Sequence, residues 1–196
     1  MKKIDKRVIL RKLVHSFGAL ILLIVKVYGL LVAQLLILSL VGVYLSSEYL
    51  RLSGKIIPPF TWLVKKASTE EEQRSIVSTP LWYATGVFLT LSLFPLDDAA
   101  IGVLTLSIGD PIASLVGLTL TSGTPNPINN KKTIEGSLIG LFVSILFCLT
   151  IVIDLSQVLV GCSAGMFIEM LPTNYNDNLS IPITASFISW FFKMIF

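Results

Sequence analysis

The sequence predicts an all-α fold: a polytopic bundle of six to seven membrane helices in one domain spanning residues 1–196. Composition is the first reason. Hydrophobic residues make up 54% and charged residues 14%, with a mean hydropathy of +0.82, whereas a soluble domain carries roughly 25% charged residues. The second reason is segmentation, because long apolar runs alternate with short polar connections. The third is placement: nearly all Lys and Arg lie in three connections, although the net charge is only +3.

The chain opens on a basic head carrying Lys2, Lys3, Lys6, Arg7, Arg11 and Lys12. An apolar run follows, as in a signal peptide, but no small-residue cleavage site precedes the next run, so this is expected to be a retained span. The first two spans cover about 13–27 and 30–45, and the tight Lys26-Val27-Tyr28-Gly29 connection makes them a hairpin. Residues 46–78 are polar, with Glu48, Arg51, Lys55, Lys65, Lys66 and Arg74 around Pro58-Pro59, Phe60 and Trp62. Aromatics mixed with lysines suit a segment lying at the bilayer interface. Ser68-Thr69-Glu70-Glu71-Glu72 has the hydroxyl-to-acid spacing of a helix start.

A third span is expected at about 79–94, then a turn at Pro95-Leu96-Asp97-Asp98 and a fourth span at about 99–120. Gly109-Asp110-Pro111 is expected to break this fourth helix, with Pro111 opening a new half-helix whose N-terminus suits phosphate. The remaining spans fall at about 135–153, 158–171 and 181–196; the last two are short, near the lower limit of about 17 residues. Positive-inside counting places the head, the 46–78 region and the 121–132 loop in the cytoplasm. Seven spans put the 172–180 connection there too. This topology gathers Arg11, Lys12, His15, Glu48, Arg51, Asp110, Lys131, Lys132, Glu135, Glu169 and Asp177 at one face.

Each group has a chemical reading beside a bland one. Lys12 and His15, the sole histidine, are three apart and share a helix face; the bland reading is topology signalling. Glu48 and Arg51 are also three apart, as a local ion pair or as an arginine oriented to clamp phosphate. Asp110 is a helix cap or a metal ligand beside Ser114. An unpaired carboxylate at membrane depth is expensive and normally faces a polar cavity where it acts. Lys131, Lys132 and Glu135 are a local charge pairing or a polyphosphate contact. Gly136 and Gly140 are a close helix contact. Glu169, Asn174, Asp177 and Asn178 surround the sixth-to-seventh connection; Asp177-Asn178 caps the last helix, or these residues supply hard oxygen ligands for Mg²⁺. Cys148 and Cys162 lack metal-ligand spacing and are read as buried small hydrophobes. No basic block points to nucleic acid, and no P-loop, Gly-x-Ser-x-Gly or His-Glu-x-x-His motif occurs.

Arg11-Lys12-x-x-His15, Glu48-x-x-Arg51, Gly109-Asp110-x-x-Ala113-Ser114-x-x-Gly117, Lys132-Thr133-x-Glu135-Gly136-Ser137 and Asp177-Asn178-Leu179-x-Ile181-Pro182 occur in this order. Together they resemble the family of dolichol kinase, phytol kinase and CTP-dependent diacylglycerol kinase. Pro111 departs from the pattern, standing where phytol-kinase-like members often have glycine, and the loop after Gly117 is compact. The resemblance implies a polytopic enzyme that moves a phosphoryl group from a nucleoside triphosphate, commonly CTP, to a membrane lipid alcohol with a divalent metal.

On that basis Asp110, with Glu135 or Asp177, is expected to hold Mg²⁺. Lys132, Lys12 and Arg51 hold phosphate, with Glu48 orienting Arg51 and with Lys131, Ser114 and Asn178 on the nucleotide side. The base is expected to be Asp177 or Asp110, with His15 as a further candidate. A lipid cytidylyltransferase would use the same nucleotide and metal, and a transporter would also place acids and broken helices mid-membrane. A prokaryotic cell membrane, a cytoplasmic N-terminus and site, and compatibility with a homo-oligomer complete the expectations.

Overall fold

The computed structural model describes residues 5–56, 58–120, 123–172 and 176–196; Lys2, Lys3 and Asn174 lie outside them. Among the described residues the fold is helical, and the sole strand-like feature is an isolated bridge between Pro125 and Thr133. Each of the seven apolar segments is helical. α1 (Lys6–Ser16) continues through a short 3₁₀ turn, Phe17–Leu20, into α2 (Ile21–Tyr28). Gly29, with φ of 89°, turns the chain into α3 (Leu30–Leu52), a conformation glycine adopts without strain. The expected hairpin is therefore present.

α4 (Phe60–Ala67) is a short amphipathic helix. Trp62 is exposed, with the Lys66 ammonium 4.3 Å from its ring centre. The expected capping box forms: the Thr69 N–H donates to Glu72 Oε2 (2.7 Å) and the Glu72 N–H to Thr69 Oγ1 (3.2 Å). It opens only a 3₁₀ turn, Glu72–Arg74. α5 (Thr79–Leu93), α6 (Leu96–Leu104), α7 (Asp110–Thr119), α8 (Ile134–Cys148), α9 (Leu155–Met170) and α10 (Asp177–Ile195) complete the bundle.

Two expectations change. Pro95-Leu96-Asp97-Asp98 is a helix start, and Asp98 is fully buried, accepting from Gln157 (2.7 Å) and Ser189 (2.6 Å). The Gly109-Asp110-Pro111 break is also absent. α6 and α7 form one continuous rod, joined by a π-turn over Thr105–Gly109 in which the Asp110 N–H reaches back to the Thr105 carbonyl. A proline ring presses on the carbonyl four residues earlier. The extra residue of a π-turn relieves that pressure and keeps the rod intact. No separate half-helix start is presented.

α10 is the centre of the bundle, packed on α9, α6 and α5, with α7 against α8. Small residues set these approaches, as in membrane bundles where backbones must come close. A Cβ at Gly140 would lie 2.6 Å from the Gly109 carbonyl and one at Gly136 2.5 Å from the Ala113 carbonyl, so the Gly136/Gly140 pair is a close contact of α8 with α7. Gly86 of α5 lies against the Asn178 carbonyl at the start of α10. Gly86→Val should therefore lower stability by about 1–3 kcal/mol, read as a fall in the thermal midpoint; an unchanged midpoint would show that α5 and α10 can separate freely. Cys148 and Cys162 are free and buried in the core.

Leu91, Ile101, Leu106 and Ile181 are fully enclosed, while Phe17, Leu31 and Phe142 are more than 60% exposed on the periphery. A large apolar periphery around a packed interior is the surface of a protein solvated by lipid. Among the described residues, three rods are long and apolar enough to cross a membrane: Lys6–Tyr28, Leu30–Leu52 and Leu96–Thr119.

Candidate active site

The polar side chains converge where α1, α5, α7, α9 and α10 meet. Lys12 of α1 donates to Asp110 Oδ2 at 2.6 Å, and Asp110 is 2% exposed. One turn on, His15 Nε2 donates to Asn178 Oδ1 at 2.8 Å. His15 stands edge-on to Tyr83, ring centres 4.3 Å apart, and the Tyr83 hydroxyl contacts the His15 carbonyl (3.1 Å) and Ser107 Oγ (2.6 Å). The i, i+3 spacing on α1 thus sends one side chain to α7 and the next to α10.

Lys132 forms the other half. Its ammonium donates to Glu169 Oε1 (2.6 Å) and Asp177 Oδ2 (3.2 Å), and Ser137 Oγ donates to Glu169 Oε2 (2.9 Å). Burial pulls the Lys132 pKa down, but the carboxylates of Glu169, Asp110 and Asp177 outweigh it, so the ammonium is held above the usual lysine value. The loop that carries Lys132 is fixed from below. Asn126, buried, donates to the Met170 carbonyl (2.9 Å) and accepts from the Ile128 N–H (2.9 Å), while its own N–H donates to the Lys132 carbonyl (2.9 Å). Thr133 then caps α8, accepting from the Gly136 N–H. Asn176 caps α10, accepting from the Asn178 N–H, with Asp177 in the first turn.

Other residues singled out from sequence lie apart from this cluster. Glu135 turns outward and accepts the Thr124 N–H with both oxygens (3.0 and 2.9 Å). Lys131 is exposed, and Ser114 is half-buried on α7. Glu48 does orient Arg51, through Nε (2.7 Å) and Nη2 (2.9 Å). Arg51 also donates to the Gln73 and Ser75 carbonyls (2.6 and 2.7 Å), and Glu48 accepts the Val77 N–H (2.9 Å). This pair therefore fastens the 72–77 connection onto α3. Glu48→Gln should speed hydrogen exchange at the Val77 amide by about tenfold; unchanged exchange would mean the connection is held elsewhere.

Tyr83, Ser107 and Asn126 were not legible as site residues. Tyr83 and Ser107 sit inside apolar runs, and Asn126 reads as an ordinary loop residue. Ser137 lay within the Lys132–Ser137 motif without a role, and Glu169 stood among the candidate oxygen ligands, not as the partner of Lys132 and Ser137.

The fold and cluster define a helical protein with a lipid-facing periphery and a buried array of alternating lysines and carboxylates at one end. No family model matches the chain, and no solved structure matches it. Two curated proteins are similar. An uncharacterized protein of Rickettsia prowazekii is 33% identical over 118 residues, 56% of this chain and 56% of that protein. CTP-dependent diacylglycerol kinase 1 of Schizosaccharomyces pombe is 28% identical over 154 residues, 69% of this chain and 66% of that protein. The chain thus spans between half and two thirds of the length of these relatives. The similarity to the second of these, a CTP-dependent diacylglycerol kinase, is a distant one.

Proposed function

We propose that residues 1–196 form one integral-membrane domain that transfers the terminal phosphoryl group of CTP to the hydroxyl of a membrane lipid alcohol. The acceptor is a polyprenol or dolichol, phytol or geranylgeraniol, or diacylglycerol. Six to seven of the helices cross the bilayer, with the N-terminus and the site on the cytoplasmic side. The observation that carries this reading is the array Lys12–Asp110 and Glu169–Lys132–Asp177, with 2.6–3.2 Å contacts, at one end of an apolar bundle. The similarity to a CTP-dependent diacylglycerol kinase supports it.

Phosphoryl transfer needs positioning and charge neutralisation more than covalent chemistry. Lys12 and Lys132 hold phosphate oxygens, with Lys131, Ser114 and Asn178 toward the nucleotide. Arg51, aligned by Glu48, reaches phosphate only by releasing Gln73 and Ser75. The donor chemistry suits a hard divalent cation: Asp110 and Asp177 offer carboxylate oxygens, while no group of three or more His, Cys, Asp or Glu gathers among the described residues. Mg²⁺ is ordinarily held by one or two carboxylates plus substrate phosphates, and Asp110 and Asp177 would hold it in that way; Glu135, in the first turn of α8, joins only by releasing the Thr124 N–H. Bound there, the cation would neutralise developing phosphate charge. Asp177 or Asp110 accepts the hydroxyl proton, with His15 as the further candidate.

The test is to give purified protein labelled CTP or ATP, Mg²⁺ and a panel of polyprenols, phytol, geranylgeraniol and diacylglycerol. CDP and a phosphorylated lipid are expected. Pyrophosphate release would instead identify a cytidylyltransferase, and no turnover with any acceptor would end the reading.

A further inference from the structure

A cavity of about 580 Å³ opens beside the charged cluster, walled by α1, α2, α3, α4 and α5. Its lining is almost wholly carbon. Leu36, Ile37, Leu40 and Val41 come from α3, Ile21 and Ile24 from α2, and Ala84 and Val87 from α5. α4 roofs one end with Phe60, Leu63 and Val64. Polar side chains line it mainly at that end: Arg11, Glu72, His15 and Tyr83. Arg11 and Glu72 pair there at 3.6 Å.

His15 and Tyr83 belong to both places. They line the cavity, and His15 is bonded to Asn178, the neighbour of Asp177 in the charged cluster. From His15 the cavity runs past Ile21 to Ile24, nine residues along the rod, about 14 Å at a helical rise of 1.5 Å. α3 runs back alongside from Gly29, so Leu36 lies far from the His15 end and Leu40 one turn nearer it. A long, half-open, apolar cleft whose polar end adjoins a polar cluster suits a molecule with one hydroxyl end and one hydrocarbon end.

We infer that this cavity is the tail site of the lipid alcohol. It takes one hydrocarbon chain, with the hydroxyl end at His15 and Tyr83 and the tail lying between α2, α3 and α5 toward Ile24, Leu36 and Val87. This rests on the kinase reading for the identity of the ligand, and it makes α3 a gauge of chain length. Taking about 30 Å³ per methylene-sized group, the liquid share of one water, the cavity holds on the order of twenty groups, which is room for one chain rather than two long ones.

The test uses the full chain in lipid nanodiscs with a long-chain primary alcohol carrying a diazirine at its tail. Photolabel is expected on peptides containing Ile24, Leu36 or Val87, displaced by unlabelled long-chain alcohol and not by phosphatidylcholine. Leu36→Trp should cut labelling by the long alcohol about tenfold or more while sparing turnover of short-chain acceptors. Leu40→Trp, a turn nearer His15, should shorten the accepted chain further. Phe142→Trp, on the lipid face of α8, should change neither.

Label spread evenly over peripheral residues such as Phe142, or displaced equally by phosphatidylcholine, would overturn the tail site. So would Leu36→Trp with an unchanged chain-length profile and unchanged labelling. If the tryptophan variants do not fold, the wild-type label map decides. Turnover with no acceptor sinks the kinase reading alone, because labelling still reads the cavity. Normal turnover with the wrong label map sinks the tail site alone.

Discussion

Asp110→Asn should lower phosphoryl transfer by about 10³-fold or more while the protein stays folded. Asp110 is enclosed, and Lys12 lies 2.6 Å from its Oδ2. Asparagine keeps the shape and one acceptor oxygen for Lys12, whose side chain retains 15% exposure and so a route to water. What it removes is the negative charge that would face a metal-bound triphosphate. For a chain of this size each kcal/mol lost moves the thermal midpoint by about 2–4 °C, and a shift of only a few degrees is expected. Turnover at saturating CTP is the deciding measurement. Near-normal turnover would remove Asp110 from the metal and phosphate chemistry, whatever the midpoint does.

Lys132→Met should cost both stability and activity. Glu169 has a side chain 1% exposed, and without Lys132 the described contact left to it is Ser137. Removing one partner of a buried pair leaves an uncompensated charge, at about 3–5 kcal/mol. Adding Glu169→Gln removes that charge, so the double variant should recover much of the midpoint and none of the turnover. Recovery of turnover as well would make Lys132 a structural residue only. The pH sign follows from the raised Lys132 value. The pair's contribution is fully present below the unfolded lysine value near 10.4. It is lost as pH rises through the higher folded value. Between neutrality and about pH 9 it should not vary with pH.

Much of the architecture was legible because hydropathy is a local property. Seven apolar runs became seven helical rods, with the Gly29 hairpin and the Thr69–Glu72 box where their residues predicted them. The failures came where one residue type serves two geometries. Gly-Asp-Pro reads as a helix break, yet a π-turn absorbs the proline without one. Asp98 reads as a turn residue, yet Gln157 and Ser189 supply donors that let it sit in the core.

The sequence by itself determined the helical, lipid-facing character of this protein and singled out Lys12, His15, Asp110, Lys132, Asp177 and Asn178. Runs of apolar side chains and one-turn spacings carry that information within a few residues. Only the tertiary structure decided the pairings: Lys12 with Asp110 across 98 positions, His15 with Asn178 across 163, and Lys132 with Glu169 across 37. It also turned Arg51 toward the Gln73 and Ser75 carbonyls and Glu135 toward the Thr124 N–H. A charged side chain takes the partner that packing leaves unsatisfied within its reach. Close helix approaches at Gly86, Gly136 and Gly140 set that reach, and they exist only once the rods have met.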